Sequence, residues 1–310
     1  MKRLLIIRFS ALGDVAMVVP VVRALAEQYP ALQITMLSQA RMSDLFAGMP
    51  ANVQFIGVDL KTQSLRQIVA GLGSFDAVAD MHGVWRSRYI RTALFLRGAR
   101  VRTINKGRWS KWLLTHHWRQ QPLCPTVQRY AKVLQRLGWS VTLPPINRHD
   151  GQGIGIAPFA AHQGKAYPIA QMEQVVQTLS ARGEHILLFG GGGDEQRILA
   201  QWAERYPGVE SVAGKHSLAE EIKLMRTLRV MVSMDSANMH LASLAGTRVV
   251  SVWGATHPYA GFTGIGQDEQ DCVQRQLDCR PCSVYGKRPC KYGDYRCLAI
   301  RPEEIIARIG

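Results

Sequence analysis

The sequence predicts a two-domain α/β protein in which each half is a doubly wound parallel sheet. Three observations carry that prediction. Short apolar runs alternate with helical patterns along both halves. The length of 310 residues fits two domains of about 150 residues each. A proline- and glycine-bearing break, Leu143-Pro144-Pro145 through Gly151-Gln152-Gly153, falls near the middle. It sets expected domains at residues 1–148 and 149–310.

The first half opens on a strand, Arg3–Arg8, followed by a turn at Phe9–Gly13. A helix is expected from Asp14 to Tyr29, stopped by Pro30. Further strands are expected at Gln33–Leu37, Val53–Val58, Asp76–Asp80 and Arg100–Ile104. Helices are expected between them, near Arg41, Leu65, Arg86 and Lys111. The second half repeats the scheme. Its strands are expected at Ile154–Ala157, His185–Phe189, Val209–Val212, Val230–Ser233 and Arg248–Val252. Helices are expected at Pro168–Arg182, with proline at the start, at Asp194–Tyr206, near Leu218 and Met239, and at Pro302–Ile309. Ligands of open parallel sheets collect at the carboxyl ends of the strands. Site residues are therefore sought in the loops that leave the strands and in a cleft between the halves.

An apolar content of 47%, a charged content of 20% and a mean hydropathy of -0.06 exclude a mainly disordered chain. No run reaches the roughly 18 apolar residues of a membrane span. The Lys2-Arg3-Leu4 opening resembles the start of a signal peptide, but the apolar stretch is short and no small-residue cleavage site follows, so a cytoplasmic location is expected. The formal charge of +15 is unevenly placed. Residues 81–149 hold fourteen Lys and Arg and no acid, with five of the seven tryptophans. Such a stretch suits an anionic partner: nucleic acid, an anionic membrane surface or a phosphorylated acceptor. A solvated basic face over buried tryptophans would account for part of it.

Four motifs stand at strand ends. Ser10-Ala11-Leu12-Gly13-Asp14 follows the first strand. Gly13 permits a tight turn or close approach, and Asp14 sits at a helix start. A simple N-cap role would also account for Ser10 or Asp14. Phe159 and Lys165 lie in the loop after the first strand of the second half, where a lysine can neutralise a phosphate. Gly190 to Gly193 exposes backbone N–H groups, and Gly191 could touch a ligand, but Asp194 and Glu195 already occupy the following helix start. The fullest motif is Asp235-Ser236-Ala237-Asn238-Met239-His240. Here an apolar strand ends in an acid, small residues open a helix, and His240 lies in its first turns. The N–H groups of such a helix start can hold a pyrophosphate. Trp253-Gly254-Ala255-Thr256-His257-Pro258 follows the next strand as another site loop.

Taken in order, these motifs resemble the heptosyltransferases of lipopolysaccharide core synthesis, glycosyltransferase family 9. The resemblance spans essentially the whole chain. It implies a GT-B fold of two Rossmann-like domains facing across a cleft. Residues 1–148 would bind the acceptor and 149–310 the nucleotide sugar. It implies inverting transfer of heptose, without metal or other cofactor, from a nucleotide donor, usually ADP-heptose. By match to the family's motifs, Asp14 is the catalytic base, and Lys165 contacts donor phosphate or sugar. Asp235 binds the donor sugar, and Ser236, Ala237, Asn238 and His240 form the helix start around the pyrophosphate. Ala237 stands where many members carry glycine, and a positive φ there would be costly for alanine. The basic, tryptophan-bearing stretch suits an anionic glycolipid acceptor and a peripheral place on the inner membrane surface. The alternatives are a basic nucleic-acid-binding protein, although no recognisable module for that appears, and a nucleotide-sugar epimerase on the same architecture.

Five of the six cysteines fall in the last 39 residues. Within the tail 272–297, Cys279-x2-Cys282-x7-Cys290-x6-Cys297 could bind structural zinc, although the spacing is not that of a standard zinc ribbon. Reduced, packed thiols are the competing expectation in the cytoplasm.

Overall fold

The run Arg3–Ile7 forms strand β1, and Leu4 through Ile7 have no exposed surface. An unbroken apolar run of this kind fits a strand covered on both faces. In the computed structural model, which describes Met1–Gly310 apart from Asn147 and His149, β1 lies at the centre of a parallel sheet. It pairs with β2 (Gln33–Gln39) on one side and β4 (Ala77–Asp80) on the other, with β3 (Val53–Val58) and β5 (Arg100–Thr103) outermost. The order β3-β2-β1-β4-β5 reverses direction between β1 and β4, where Ile7 stands opposite Asp80. That is the switch point where such sheets leave room for a ligand.

The second sheet has the same logic. It contains β6 (Ile154–Ala157), β7 (Ile186–Leu188), β8 (Val209–Ser211), β9 (Val230–Met234), β10 (Arg248–Trp253) and β11 (Cys272–Gln274). The order β11-β10-β9-β6-β7-β8 puts its switch point between β6 and β9, where Ala157 stands opposite Ser233. Its helices are α7 (Ile169–Ala181), α8 (Gly193–Arg205), α9 (Leu218–Arg226), α10 (Ala237–Ala245) and α11 (Pro302–Ile309). Val175, Val176 and Leu179 of α7 pack with Ile154, Ile156 and Val232 of the sheet and with Ile305 of α11 in one core. Spacings of three and four place such residues on one helix face.

The first half carries α1 (Leu12–Ala16), α2 (Val19–Gln28), a short 3-10 helix at Ala40–Phe46, α3 (Leu65–Gly71), α4 (Trp85–Leu96), α5 (Arg108–Thr115) and α6 (Thr126–Gln135). The single helix expected from Asp14 to Tyr29 is thus two. Pro20 has no N–H to donate and favours a first-turn position, so α2 restarts with proline as its second residue. The N–H of Val18 bonds to Val15 rather than four residues back, which tightens the end of α1. The helix expected near Arg41 is the 3-10 helix, and neither α6 nor β11 was expected.

The chain divides into two compact units. One is Met1–Lys106 with Thr126–Pro145, the other Gly107–Pro125 with Ile146–Gly310. The main segment of the second unit begins at Ile146, close to the expected boundary at 148/149, and Asn147 and His149 lie outside the described residues. The excursion 107–125 was expected with the first half but groups with the second unit. The cause is side-chain packing. Lys111 is buried with Nζ 4.0 Å from the centre of the Phe262 ring, and the N–H of Leu123 donates to the Tyr259 carbonyl at 2.9 Å.

Candidate active site

In the first unit, Asp14 is the third residue of α1, just beyond the end of β1. Its Oδ2 accepts from Arg8 at 2.5 Å and from the N–H of Ala11 at 3.3 Å. Arg8 is itself buried. It donates to the Met81 carbonyl at 2.8 Å and lies over the Tyr130 ring at 5.9 Å. Asp14 keeps 28% side-chain exposure. The carboxylate is therefore clamped through one oxygen, Oδ2.

His82 was missed by the sequence reading. It follows β4, and its Nδ1 accepts from the N–H of Phe9 at 3.4 Å, so the proton of the neutral ring sits on Nε2. Burial, then the charges of Arg8 and Lys106, pushes its pKa down to about 3, against a smaller pull from Asp14. His82 is thus an uncharged donor near Asp14. Asp80 builds this loop from below. Its Oδ1 accepts from the N–H groups of His82 and Gly83 at 3.0 and 2.8 Å, and its Oδ2 meets Ser87 and Arg91 at 3.1 and 3.3 Å. An acid ending a buried strand immediately before the acid-free stretch was the available signal. Ser10 is half-buried in the loop before α1. Gly13 does not form the expected turn; it is the buried second residue of α1, and its carbonyl accepts from Met17.

In the second unit, Lys165 ends a 3-10 turn after β6, and Asp235 follows β9, so the switch point brings them together. Lys165 Nζ lies 2.8 Å from Asp235 Oδ2. The Thr256 hydroxyl donates to the same oxygen at 2.8 Å. Asp235 is buried, and such a carboxylate needs partners of this kind. Two glycines allow the approach. A Cβ on Gly254 would lie 2.4 Å from the Gly164 carbonyl, and one on Gly286, at φ +74°, would lie 2.6 Å from Lys165 Cγ.

Helix α10 begins beside this pair. Its N-cap is Ser236, whose side chain makes no capping bond; its Oγ instead lies 3.2 Å from Ser233 Oγ. Ala237 is the first helical residue and is not among the positive-φ positions, so alanine for glycine carries no backbone cost here. Asn238 is half-buried in the same turn, and His240 is buried one turn on. His257 is held near pKa 4 by burial and then by Arg280, and its Nδ1 accepts from the N–H of Tyr259 at 3.1 Å.

Arg280 is the second residue that the sequence reading missed. Its buried guanidinium donates to the carbonyls of Trp253, Gly254, Thr256 and Arg275 and so fixes the loop that carries Thr256. Phe159 is half-buried and packs against the core of its unit. The N–H of Gly191 is taken by Glu195 at 2.8 Å, so that loop is closed by its own helix. The four cysteines do not form a zinc set. Among the described residues no three His, Cys, Asp or Glu side chains form a group that could hold a metal ion. Burial pushes the Cys297 thiol up to about 11 and raises Cys282, while at Cys290 backbone hydrogen bonds outweigh burial and lower the thiol.

The two doubly wound parallel sheets are those of the GT-B fold. The family model of glycosyltransferase family 9 (heptosyltransferase) matches residues 64–293, and the chain belongs to this family. Lipopolysaccharide heptosyltransferase 1 of Pseudomonas aeruginosa is 24% identical, over 94% of this chain and 88% of its own. The glycosyl transferase family 9 structure from Veillonella parvula superposes with a TM-score of 0.75 at 18% identity, covering 99% of this chain and 96% of the other. The structure of Escherichia coli heptosyltransferase WaaC with ADP-2-deoxy-2-fluoro heptose gives 0.67 at 18% identity, covering 92% and 97%.

Proposed function

We propose that the protein transfers heptose with inversion from ADP-heptose to a lipopolysaccharide-core acceptor, with Asp14 as general base and without a metal. The observation that carries this reading is the Lys165–Asp235–Thr256 arrangement beside the uncapped start of α10. The ADP-2-deoxy-2-fluoro heptose of the WaaC structure and the similarity to lipopolysaccharide heptosyltransferases support the donor and the acceptor class.

The acceptor hydroxyl attacks the anomeric carbon on the face opposite the pyrophosphate. The new C–O bond forms as the bond to the pyrophosphate oxygen breaks, and ADP leaves. Asp14 Oδ1 takes the hydroxyl proton, while Arg8 holds Oδ2 and so orients the carboxylate. Lys165 and the N–H groups at the start of α10 stabilise the charge developing on the diphosphate. Asp235 receives a sugar hydroxyl and holds Lys165 in place. Phosphate charge can be met in this way by a helix start and an ammonium without a metal ion.

The test is ADP release on mixing ADP-heptose with heptose-deficient core lipopolysaccharide in EDTA. Turnover that needs both substrates and survives EDTA is expected. A product formed from the donor alone would favour an epimerase, and abolition by EDTA would remove the metal-independent mechanism.

A further inference from the structure

The excursion 107–125 carries chemistry that the transfer reaction does not use. Its inner side is fixed to its own unit. Leu114 is fully buried, and Lys111 Nζ sits over Phe262 at 4.0 Å and Tyr285 at 5.8 Å. At the far end the N–H of Leu123 bonds to Tyr259, and a Cβ on Gly261 would lie 2.8 Å from the Cys124 carbonyl. Helix α5 ends with His117 in the left-handed region at φ 61°, and the N–H of Trp118 bonds back to Leu113 at 3.0 Å. That turn folds Trp118 back onto the helix.

The outer side is an indole cluster in water. Trp109 is 68% exposed, Trp112 39% and Trp118 76%. Trp109 stacks on Trp112 at 4.9 Å, Trp112 on His116 at 4.3 Å, and Trp118 meets Trp112 edge-on at 5.6 Å. Exposed Arg108 and Arg119 flank the cluster, and no acid occurs from 81 to 149. Indole rings with a polar N–H and neighbouring cations match the headgroup layer of an anionic bilayer. Nucleic acid fits less well, because Trp112 is already stacked on both Trp109 and His116, which takes up one face of Trp109 and the central ring of the cluster. A second copy fits less well, because two such surfaces would bring Arg108 and Arg119 of both copies together.

We propose that this excursion docks the protein on an anionic bilayer, with Trp109, Trp112 and Trp118 in the headgroup layer and Arg108 and Arg119 on lipid phosphates. It names the surface on which the proposed lipid-borne acceptor is met, and in that sense rests on the transfer reading. Because the excursion is pinned to Tyr259 and Phe262, docking fixes the segment that directly follows the Thr256–His257 loop.

The experiment uses the full-length protein and vesicles of phosphatidylcholine, with and without phosphatidylglycerol at about 30 mol%. Co-sedimentation and tryptophan quenching by brominated lipid are measured for wild type, the Trp109→Ala/Trp118→Ala pair and the Arg108→Gln/Arg119→Gln pair. Wild type should bind the anionic vesicles and be quenched, and each pair should lower the partition coefficient roughly tenfold with an unchanged melting temperature. Equal binding to both vesicle types, or undiminished binding by both variant pairs, would overturn the proposal. So would variants that lose affinity only for a single-stranded oligonucleotide, or that change only the oligomeric state. ADP release with a detergent-dispersed acceptor should be unaltered in both variant pairs. Vesicle binding without transfer would leave the anchor standing and remove the transfer reading, and transfer without vesicle binding would do the reverse.

Discussion

Replacing Asp235 by alanine removes the acceptor of two bonds at once, from the Lys165 ammonium and from the Thr256 hydroxyl, each at 2.8 Å. A hydrogen bond to a charged group contributes about 1.5–3 kcal/mol, and a neutral one about 1 kcal/mol. Lys165 is partly exposed, so its ammonium can regain water and the fold should survive. The loss then falls on the proposed donor site, where Lys165 would no longer be aimed and the sugar would lose its proposed carboxylate partner. An affinity loss of about 2–3 kcal/mol corresponds to a Kd for ADP-heptose roughly 30- to 150-fold weaker. Calorimetric titration with ADP and with ADP-heptose reads this directly. The sugar nucleotide should lose more than ADP, and Asp235→Asn should fall between wild type and alanine, since it can still accept from Thr256. An unchanged ADP-heptose Kd in a folded Asp235→Ala protein would refute the reasoning.

Other outcomes follow from the same geometry. Asp14→Asn should lower kcat by about 100- to 10,000-fold with little change in donor Kd, as measured by steady-state kinetics and calorimetry. Arg8→Leu should lower kcat less than Asp14→Asn, because it releases the carboxylate without removing it; an equal or larger loss would contradict the positioning role. His82 and His257 titrate at about 3 and about 4 when folded, against 6.5 when unfolded. The unfolded chain then binds more protons in that window, so their stability contribution is complete above pH 6.5 and declines as pH falls toward 4 and below. Melting temperatures from pH 8 to pH 5 should fall less for His82→Gln/His257→Gln than for wild type. Arg280→Ala strips four loop carbonyls of their donor and should cost about 3 kcal/mol, read as a melting temperature lower by roughly 6 °C.

The parallel strands were legible because fully buried strands read as continuous apolar runs, as in Leu4–Ile7 and Val230–Met234. Asp235 was legible because an acid ending such a run, followed by small residues, opens a helix at the sheet's carboxyl edge. The pairing of Lys165 with Asp235 follows from strand order, since it is the adjacency of β6 and β9 that joins residues seventy positions apart. Residues whose role depends on distant backbone were not legible. Arg280 matters because four carbonyls converge on it, and its place inside the cysteine pattern drew attention to the thiols. The excursion 107–125 reads as part of the first half until Phe262 and Tyr285 are seen around Lys111. His82 gave no signal beyond its position after a strand, because its neutrality comes from burial and from Arg8 and Lys106.

The central claim is that this member of glycosyltransferase family 9 moves heptose with inversion through Asp14. A single-turnover reaction with ADP-heptose and heptose-deficient core lipopolysaccharide, with the anomeric configuration of the product read by NMR, tests it most directly. The account predicts one ADP released per heptose transferred, a product linkage opposite in configuration to the donor, and no measurable product from Asp14→Asn on the same timescale. Retained configuration, or wild-type turnover by Asp14→Asn, would contradict it.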